Sequence, residues 1–277
     1  MKAALLQLTS SDDPLANLKT VSGMMEQAVA AGAGFILTPE VTNMVSMSRS
    51  HQREHLQAEE TDPVLAGLRE KAAALGVWLA IGSLALKVEG EERFANRSFM
   101  IGPGGEIRAR YDKIHMFDVE VSETEVYRES DGFRPGDHAG VCESPFGTVG
   151  LSVCYDLRFP YLYRDLAKAG ATIILIPAAF TPATGRAHWE PLLRARAIEN
   201  GAYVLAAAQT GKHFAKVGKL RETYGHSMAI SPWGEVLADG GTDEGIVFIE
   251  LDSGEVSKAR NRIPSLTHDR SYRAPNE

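Results

Sequence analysis

Residues 148–208, TVGLSVCYDLRFPYLYRDLAKAGATIILIPAAFTPATGRAHWEPLLRARAIENGAYVLAAA, alternate three apolar runs with two helical ones. The runs 148–153, 172–176 and 202–208 are too short and too evenly apolar for surface helices, so they read as strands buried on both faces. Between them, Pro160 opens a helix over 160–169 closed by Gly170, and 187–200 forms a second helix closed by Gly201. Proline at a helix start and glycine past its end follow from the missing N–H of one and the free φ of the other. Strand–helix–strand–helix–strand in this rhythm predicts a parallel sheet covered by helices.

The same pattern extends to both sides. Residues 3–8 form a strand; Asp12-Asp13-Pro14 then caps a helix whose Leu15, Leu18, Val21, Met25 and Ala28 recur every three or four residues. Gly32-Ala33-Gly34 ends that helix, and Phe35-Ile36-Leu37 is a short strand leading to Thr38-Pro39-Glu40. A second unit follows, from Asp62-Pro63 through Leu75-Gly76 into a strand over 77–86, and then a hairpin turning at Gly102-Pro103-Gly104-Gly105. A loop over 113–138 shows no period, and loops of that length in a compact fold usually carry function. Strands over 227–231 and 245–251 close the series around Pro232-Trp233-Gly234-Glu235. No composition break or linker interrupts the 277 residues, so an α/β layered sandwich in a single domain over 1–277 is expected.

Composition excludes several classes. With 29 Lys and Arg against 36 Asp and Glu the net charge is −7, which is unsuited to a nucleic-acid binder. The longest apolar stretch, around 171–180, falls far short of the ~20 residues that span a bilayer. Met1-Lys2 runs directly into a strand instead of a secretory h-region, so a cytoplasmic location is expected. Two cysteines, Cys142 and Cys154, cannot make a disulfide scaffold and should both be thiols. Asn96-Arg97-Ser98 fits a glycosylation pattern that carries no weight without a secretory context.

In α/β sheets reactive groups gather beyond the carboxyl ends of strands. Glu40, Lys113 and Cys154 each follow a strand. Individually a Glu or a Lys there is an ordinary surface charge, and a Cys an ordinary buried hydrophobe. Together they supply a nucleophile, a base and a cation. Lys113 would favour the thiolate of Cys154 and could stabilise an oxyanion beside the backbone N–H of Tyr155; Glu40 could take the thiol proton and later activate water. That set performs acyl transfer without metal or cofactor. An additional carboxylate could come from Glu120, Glu123, Glu125 or Glu129 of the long loop.

Leu37-Thr38-Pro39-Glu40, Tyr111-Asp112-Lys113-Ile114-His115 and residues 150–160, GLSVCYDLRFP, resemble the three signatures of the nitrilase, or carbon–nitrogen hydrolase, superfamily. The resemblance covers nearly the whole chain in the family order. It implies an αββα sandwich, a Glu40–Lys113–Cys154 triad, a homodimer or higher homo-oligomer, and a small-molecule amide as substrate. It also implies that Glu129, within Arg128-Glu129-Ser130, is the additional carboxylate. Pro177-Ala178-Ala179-Phe180-Thr181, residues 188–200 and Tyr224-Gly225-His226-Ser227-Met228 are similar to the amidase branch that cleaves 2-oxo-dicarboxylic amides. Within it, Tyr127-Arg128-Glu129-Ser130 and 224–228 resemble deaminated glutathione amidases more than omega-amidases, which release ammonia from 2-oxoglutaramate. A non-catalytic binding member of the fold is disfavoured because all three reactive residue types are present.

Arg158, Phe180, Thr181 and Tyr155 are the candidates for substrate contact, since they lie at strand ends near Cys154 and arginine suits carboxylate recognition. For Arg158 an ion pair with Asp156 or the acidic loop is an equal alternative. His51-Gln52-Arg53-Glu54-His55 matches the inverted zincin pattern, but it has no evident third ligand helix and sits in a segment that reads as solvated. No metal or cofactor is expected. His115 and His226 read as hydrogen-bonded scaffolding, Cys142 as packing before a turn, and Trp189 and Trp233 as core.

Overall fold

The computed structural model describes residues 1–121 and 125–275. Glu123, one of the loop carboxylates considered above, lies outside the described residues. The first sheet is built from β1 (Lys2–Gln7), β2 (Phe35–Leu37), β3 (Trp78–Leu86), β4 (Ala95–Ile101) and β5 (Ile107–Asp112). The loop strands β6 (Asp118–Glu120) and β7 (Val126–Arg128) pair only with each other. The second sheet uses β8 (Gly140–Ser144), β9 (Gly147–Leu151), β10 (Ile173–Leu175) and β11 (Tyr203–Ala206). After the two-stranded ribbon β12 (Thr210–His213) and β13 (Arg221–Tyr224), it is completed by β14 (Met228–Ile230) and β15 (Val236–Asp239). β16 (Gly245–Glu250) returns to the first sheet, giving the orders β16-β1-β2-β3-β4-β5 and β15-β14-β11-β10-β9-β8.

Each sheet has three parallel central strands, β1-β2-β3 and β9-β10-β11, flanked by antiparallel ones. Side-chain alternation sorts the residues into layers. Ala3, Leu5, Phe35 and Leu37 pack with Val149, Leu151, Ile173 and Leu175 of the opposite sheet. Their neighbours Ala4, Leu6 and Ile36 face outward onto Val21, Met25, Leu65 and Leu68. Those four belong to helices α1 (Pro14–Ala30) and α3 (Pro63–Leu75). On the far side, α4 (Pro160–Lys168) and α5 (Pro182–Asn200) cover the second sheet through Leu162, Leu166, Trp189 and Leu193. The layering is αββα, as expected.

Local chemistry sets the boundaries. Asp13 caps α1 by accepting from the Leu15 and Ala16 amides, and Asp62 caps α3 at 2.7 Å from the Leu65 amide. Gly76 and Gly201 end α3 and α5 in the left-handed region, at φ +62° and +52°. α5 starts five residues before the expected position. Thr181 caps it with Pro182 at the first helical position, a start signal ahead of the apolar period. Gly82 on β3 is needed for contact: a Cβ there would stand 2.0 Å from the Thr38 carbonyl and 2.5 Å from Pro177 Cβ, so no side chain fits where the Glu40 segment meets the second sheet.

Several expectations need correction. The loop over 113–138 is not irregular: β6 and β7 form a ribbon, and a 3₁₀ turn over Glu129–Asp131 follows it. Three-residue strands are too short to show a period. Cys142, read as packing before a turn, is indeed buried, in the edge strand β8. Trp233 is exposed beneath the guanidinium of Arg262, so it is not a core residue, whereas Trp189 is. The segment around His51 is the helix α2 (Arg49–His55), with His51 buried and not solvated. The ribbon β12–β13 and helix α6 (Ser253–Arg262) were not anticipated. Among the described residues, no helix is long and apolar enough to cross a membrane.

Candidate active site

Glu40, Lys113 and Cys154 converge, each just past the end of β2, β5 and β9. Lys113 Nζ stands 2.9 Å from Glu40 Oε1 and 2.8 Å from both oxygens of Glu129. Cys154 lies beside Glu40 in the same cleft, near enough for each to act on the other's charge. All four groups line one cleft, together with Tyr155, Phe180 and Thr181. Arg158 is not part of that lining. No ion pair with Asp156 or the acidic loop is seen for it among the described residues: its Nη2 meets His188 Nδ1 at 3.2 Å, and its guanidinium lies over the rings of Tyr155 and Phe180. Thr181 lines the cleft while its hydroxyl caps α5 through the Thr184 amide.

The backbone around the reactive groups is strained. Cys154 sits at φ +53° and Val41, next to Glu40, at φ +46°. A non-glycine residue in that region costs roughly 1–3 kcal/mol and must be held by its surroundings. The Val41 amide donates to Ser83 Oγ at 2.8 Å, and the Cys154 amide to the Pro177 carbonyl at 2.9 Å. Asp156 adds a further tie. One of its oxygens accepts from Tyr111 Oη at 2.7 Å and the Val153 amide at 2.8 Å. The other accepts from the His115 amide at 3.0 Å and pairs with His115 Nδ1 at 2.7 Å. A buried carboxylate thereby joins the strand end bearing Lys113 to the one bearing Cys154.

Charge in the cleft is shared between the groups. Burial works against the ionised form of Lys113, but Glu129 and Glu40 outweigh it and hold the ammonium well above its ordinary range. Burial also opposes the charge of Glu40, and Lys113, the Cys154 thiol and Arg221 together hold that carboxylate below its usual range. Burial pushes the Cys154 thiol up, the charge of Glu40 adds to this, and Lys113 offsets only part. The cation expected to favour the thiolate is thus opposed by burial and by the charge of Glu40, which together favour the protonated thiol that Glu40 is placed to deprotonate.

Several lining residues were not singled out as site residues from the sequence. Asn96 donates to Glu40 Oε1 at 2.9 Å, although its only sequence signal was the glycosylation pattern. Arg49, Arg128 and Arg221 also line the cleft, from α2, β7 and β13. No motif marks Arg49 or Arg221, whereas Arg128 stands within Tyr127-Arg128-Glu129-Ser130; the arginines are gathered by folding from remote segments. His115 is stacked on Phe159 and bonded to Asp156, and His226 is bonded to Asp239 at 3.0 Å; neither lines the cleft. On α2, His51, Glu54 and His55 could bring three ligand atoms within 4.8 Å of one another. His51 Nε2, however, already meets the Asp12 carbonyl at 3.0 Å, and His55 Nδ1 the His51 carbonyl at 3.0 Å.

Beneath the cleft, His213 is paired across the ribbon with Arg221, bonding the Ser10 carbonyl through Nδ1 and Thr223 Oγ1 through Nε2. Burial, helped by Arg221 and opposed by the Ser10 bond, depresses its pKa to about 4. The unfolded chain binds this proton near pH 6.5 and the folded chain only near 4. Stability is therefore unaffected above pH 6.5 and falls as pH drops between those values, by about 3 kcal/mol in all. Denaturant melts at pH 7 and pH 4 of wild type and His213→Gln check this: the variant should lose less stability over that interval.

The carbon–nitrogen hydrolase family model matches residues 2–261. A deaminated glutathione amidase of Yersinia enterocolitica is 40% identical over 269 residues, covering 96% of this chain and 92% of that protein. One from Synechocystis sp. is 39% identical, covering 96% of this chain and 97% of its own length. The crystal structure of the Caenorhabditis elegans NitFhit protein superposes with a TM-score of 0.89 at 37% identity, covering 97% of this chain and 65% of that longer one. Matched from end to end, the chain belongs to the carbon–nitrogen hydrolase family.

Proposed function

We propose that the protein is a thiol amidohydrolase that cleaves deaminated glutathione to 2-oxoglutarate and Cys-Gly. The observation that carries this reading is the convergence in one cleft of Cys154, Glu40 and a lysine held between two carboxylates. Cys154 Sγ attacks the amide carbon as its proton passes to Glu40. The oxyanion that forms is stabilised by Lys113 and by the Tyr155 backbone N–H. Because it competes with Glu40 for Lys113, it raises the proton affinity of Glu40 when the thiol proton arrives. Glu40 then gives that proton to the departing amine, leaving a 2-oxoglutaryl thioester on Cys154. Glu40 next takes a proton from water, whose oxygen attacks the thioester and frees 2-oxoglutarate and the thiol. Glu129 holds Lys113 in register and orients substrate or water.

Charge supports the substrate class. With Arg128 paired to Glu120, Arg49, Lys113 and Arg221 line the cleft with Glu40 and Glu129, a surplus of one positive charge in a chain of net charge −7. Deaminated glutathione carries two carboxylates and 2-oxoglutaramate one. Its C-terminal dipeptide would lie toward the loop that bears Arg128 and Glu129. The relatives that share 39–40% identity bear the name of this activity. A homodimer belongs to the same reading, supported by the exposed Ile198, Trp233, Val236 and Leu237, as does a cytoplasmic location, supported by two free thiols. The test is kcat/KM for the two substrates on the purified protein. Deaminated glutathione should be favoured at least tenfold, about 1.4 kcal/mol in the transition state; a preference for 2-oxoglutaramate would make the protein an omega-amidase.

A further inference from the structure

Arg221 is the most unusual polar group in the cleft. Its Nη2 donates to the Ala179 carbonyl at 2.7 Å, yet its buried Nε–H has no hydrogen-bond partner among the described residues. A guanidinium N–H left unpaired in a protein interior forfeits a charged hydrogen bond, so such groups are retained where a ligand completes them. Its position is fixed relative to the chemistry. Ala179, whose carbonyl Arg221 holds, lines the cleft together with Cys154, so Arg221 is tied to the wall of the same cleft as the nucleophile. The Tyr224 amide donates to the Phe180 carbonyl at 3.0 Å, aligning β13 with the segment 179–181 that walls the cleft.

The other arginines are committed elsewhere. Arg49 fills the niche left by Gly132, bonds Gln52 Oε1 at 3.0 Å and lies over Phe133, against the turn that carries Glu129. Arg128 is exposed and paired with Glu120 at 2.6 Å. Arg158 is outside the lining. We infer that Arg221 is the specificity residue that holds the carboxylate of the 2-oxo acyl part, its Nε–H donating to one carboxylate oxygen. This rests on the proposed amidase reading and adds the residue that selects the acid end of the substrate. Planar, always charged and anchored at one nitrogen, its guanidinium is pre-set for that geometry.

A substrate pair isolates the effect. 2-Oxoglutaramate and 4-oxopentanamide share the amide and the ketone, but only the first has the carboxylate. Wild-type enzyme should favour 2-oxoglutaramate in kcat/KM by ~30- to 100-fold, the worth of a hydrogen bond to a charged group. Arg221→Met should bring that ratio close to one, and Arg221→Lys, which keeps the charge but not the fork, should retain part of it. General damage to the fold or to Glu40 lowers both substrates together and cancels in the ratio, and residual turnover of 4-oxopentanamide reports an intact site. A ratio in Arg221→Met equal to that of wild type would overturn the assignment while leaving the amidase intact. Wild-type enzyme inert toward both 2-oxoglutaramate and deaminated glutathione would overturn the function and the assignment together.

Discussion

Replacing Cys154 with alanine is expected to abolish turnover, by at least ~10,000-fold, with the fold intact. The covalent step depends on the sulfur, and removing a nucleophile costs about as much as removing the whole catalytic set. The substitution deletes one buried atom and keeps the left-handed backbone at φ +53°. The thermal midpoint should therefore stay within a few degrees of wild type. Cys142→Ala, in the edge strand β8 away from the cleft lining, should retain activity. Alkylation of wild type should modify Cys154 with a rate that climbs with pH beyond the ordinary thiol range, because burial and Glu40 hold the proton on sulfur. Initial rates, melting curves and peptide mapping after timed alkylation measure these outcomes.

Lys113→Met has the second large effect, and it acts twice. Losing one oxyanion partner typically costs ~100- to 1,000-fold in rate. It also leaves Glu40 and Glu129 facing each other without the cation that bridges them at 2.9 and 2.8 Å. Breaking a buried ion pair from one side costs about 3–5 kcal/mol, relieved in part by protonating a carboxylate. Glu40, now held down by less positive charge, should titrate higher, so the acid limb of kcat/KM should move to higher pH. Adding Glu129→Gln to Lys113→Met removes the like-charge contact; stability should recover while activity does not. Melting curves and pH–rate profiles of the single and double variants separate the two roles.

The parts of this site that could be read from residues alone were those tied to strand ends. Glu40 and Cys154 follow apolar runs that mark central strands, Lys113 follows the second strand of a hairpin at the sheet edge, and reactive groups collect beyond strand ends. The α/β layered sandwich came through because strands buried on both faces lack the alternation of a half-exposed sheet, while the αββα order came from the family resemblance. The state of the nucleophile did not come through. Whether Lys113 activates a thiolate depends on how many carboxylates share the lysine, and that follows only from the positions of Glu40 and Glu129. Arg49, Asn96 and Arg221 were equally hidden, since each reaches the cleft from a separate element and a lone polar residue in a strand or helix has no spacing to betray it. Arg158 shows the converse: nearness to Cys154 in the chain suggested the pocket, but the 3₁₀ turn over Cys154–Arg158 carries it outside the lining.

The central claim is that acyl transfer passes through Cys154. Its most direct test is mass spectrometry of the protein quenched in acid during turnover of deaminated glutathione. The mechanism predicts a mass increase of one 2-oxoglutaryl group, confined to the peptide bearing Cys154 and absent from Cys154→Ala. Hydrolysis proceeding with Cys154 unmodified at every quench time, together with full activity in Cys154→Ala, would contradict it.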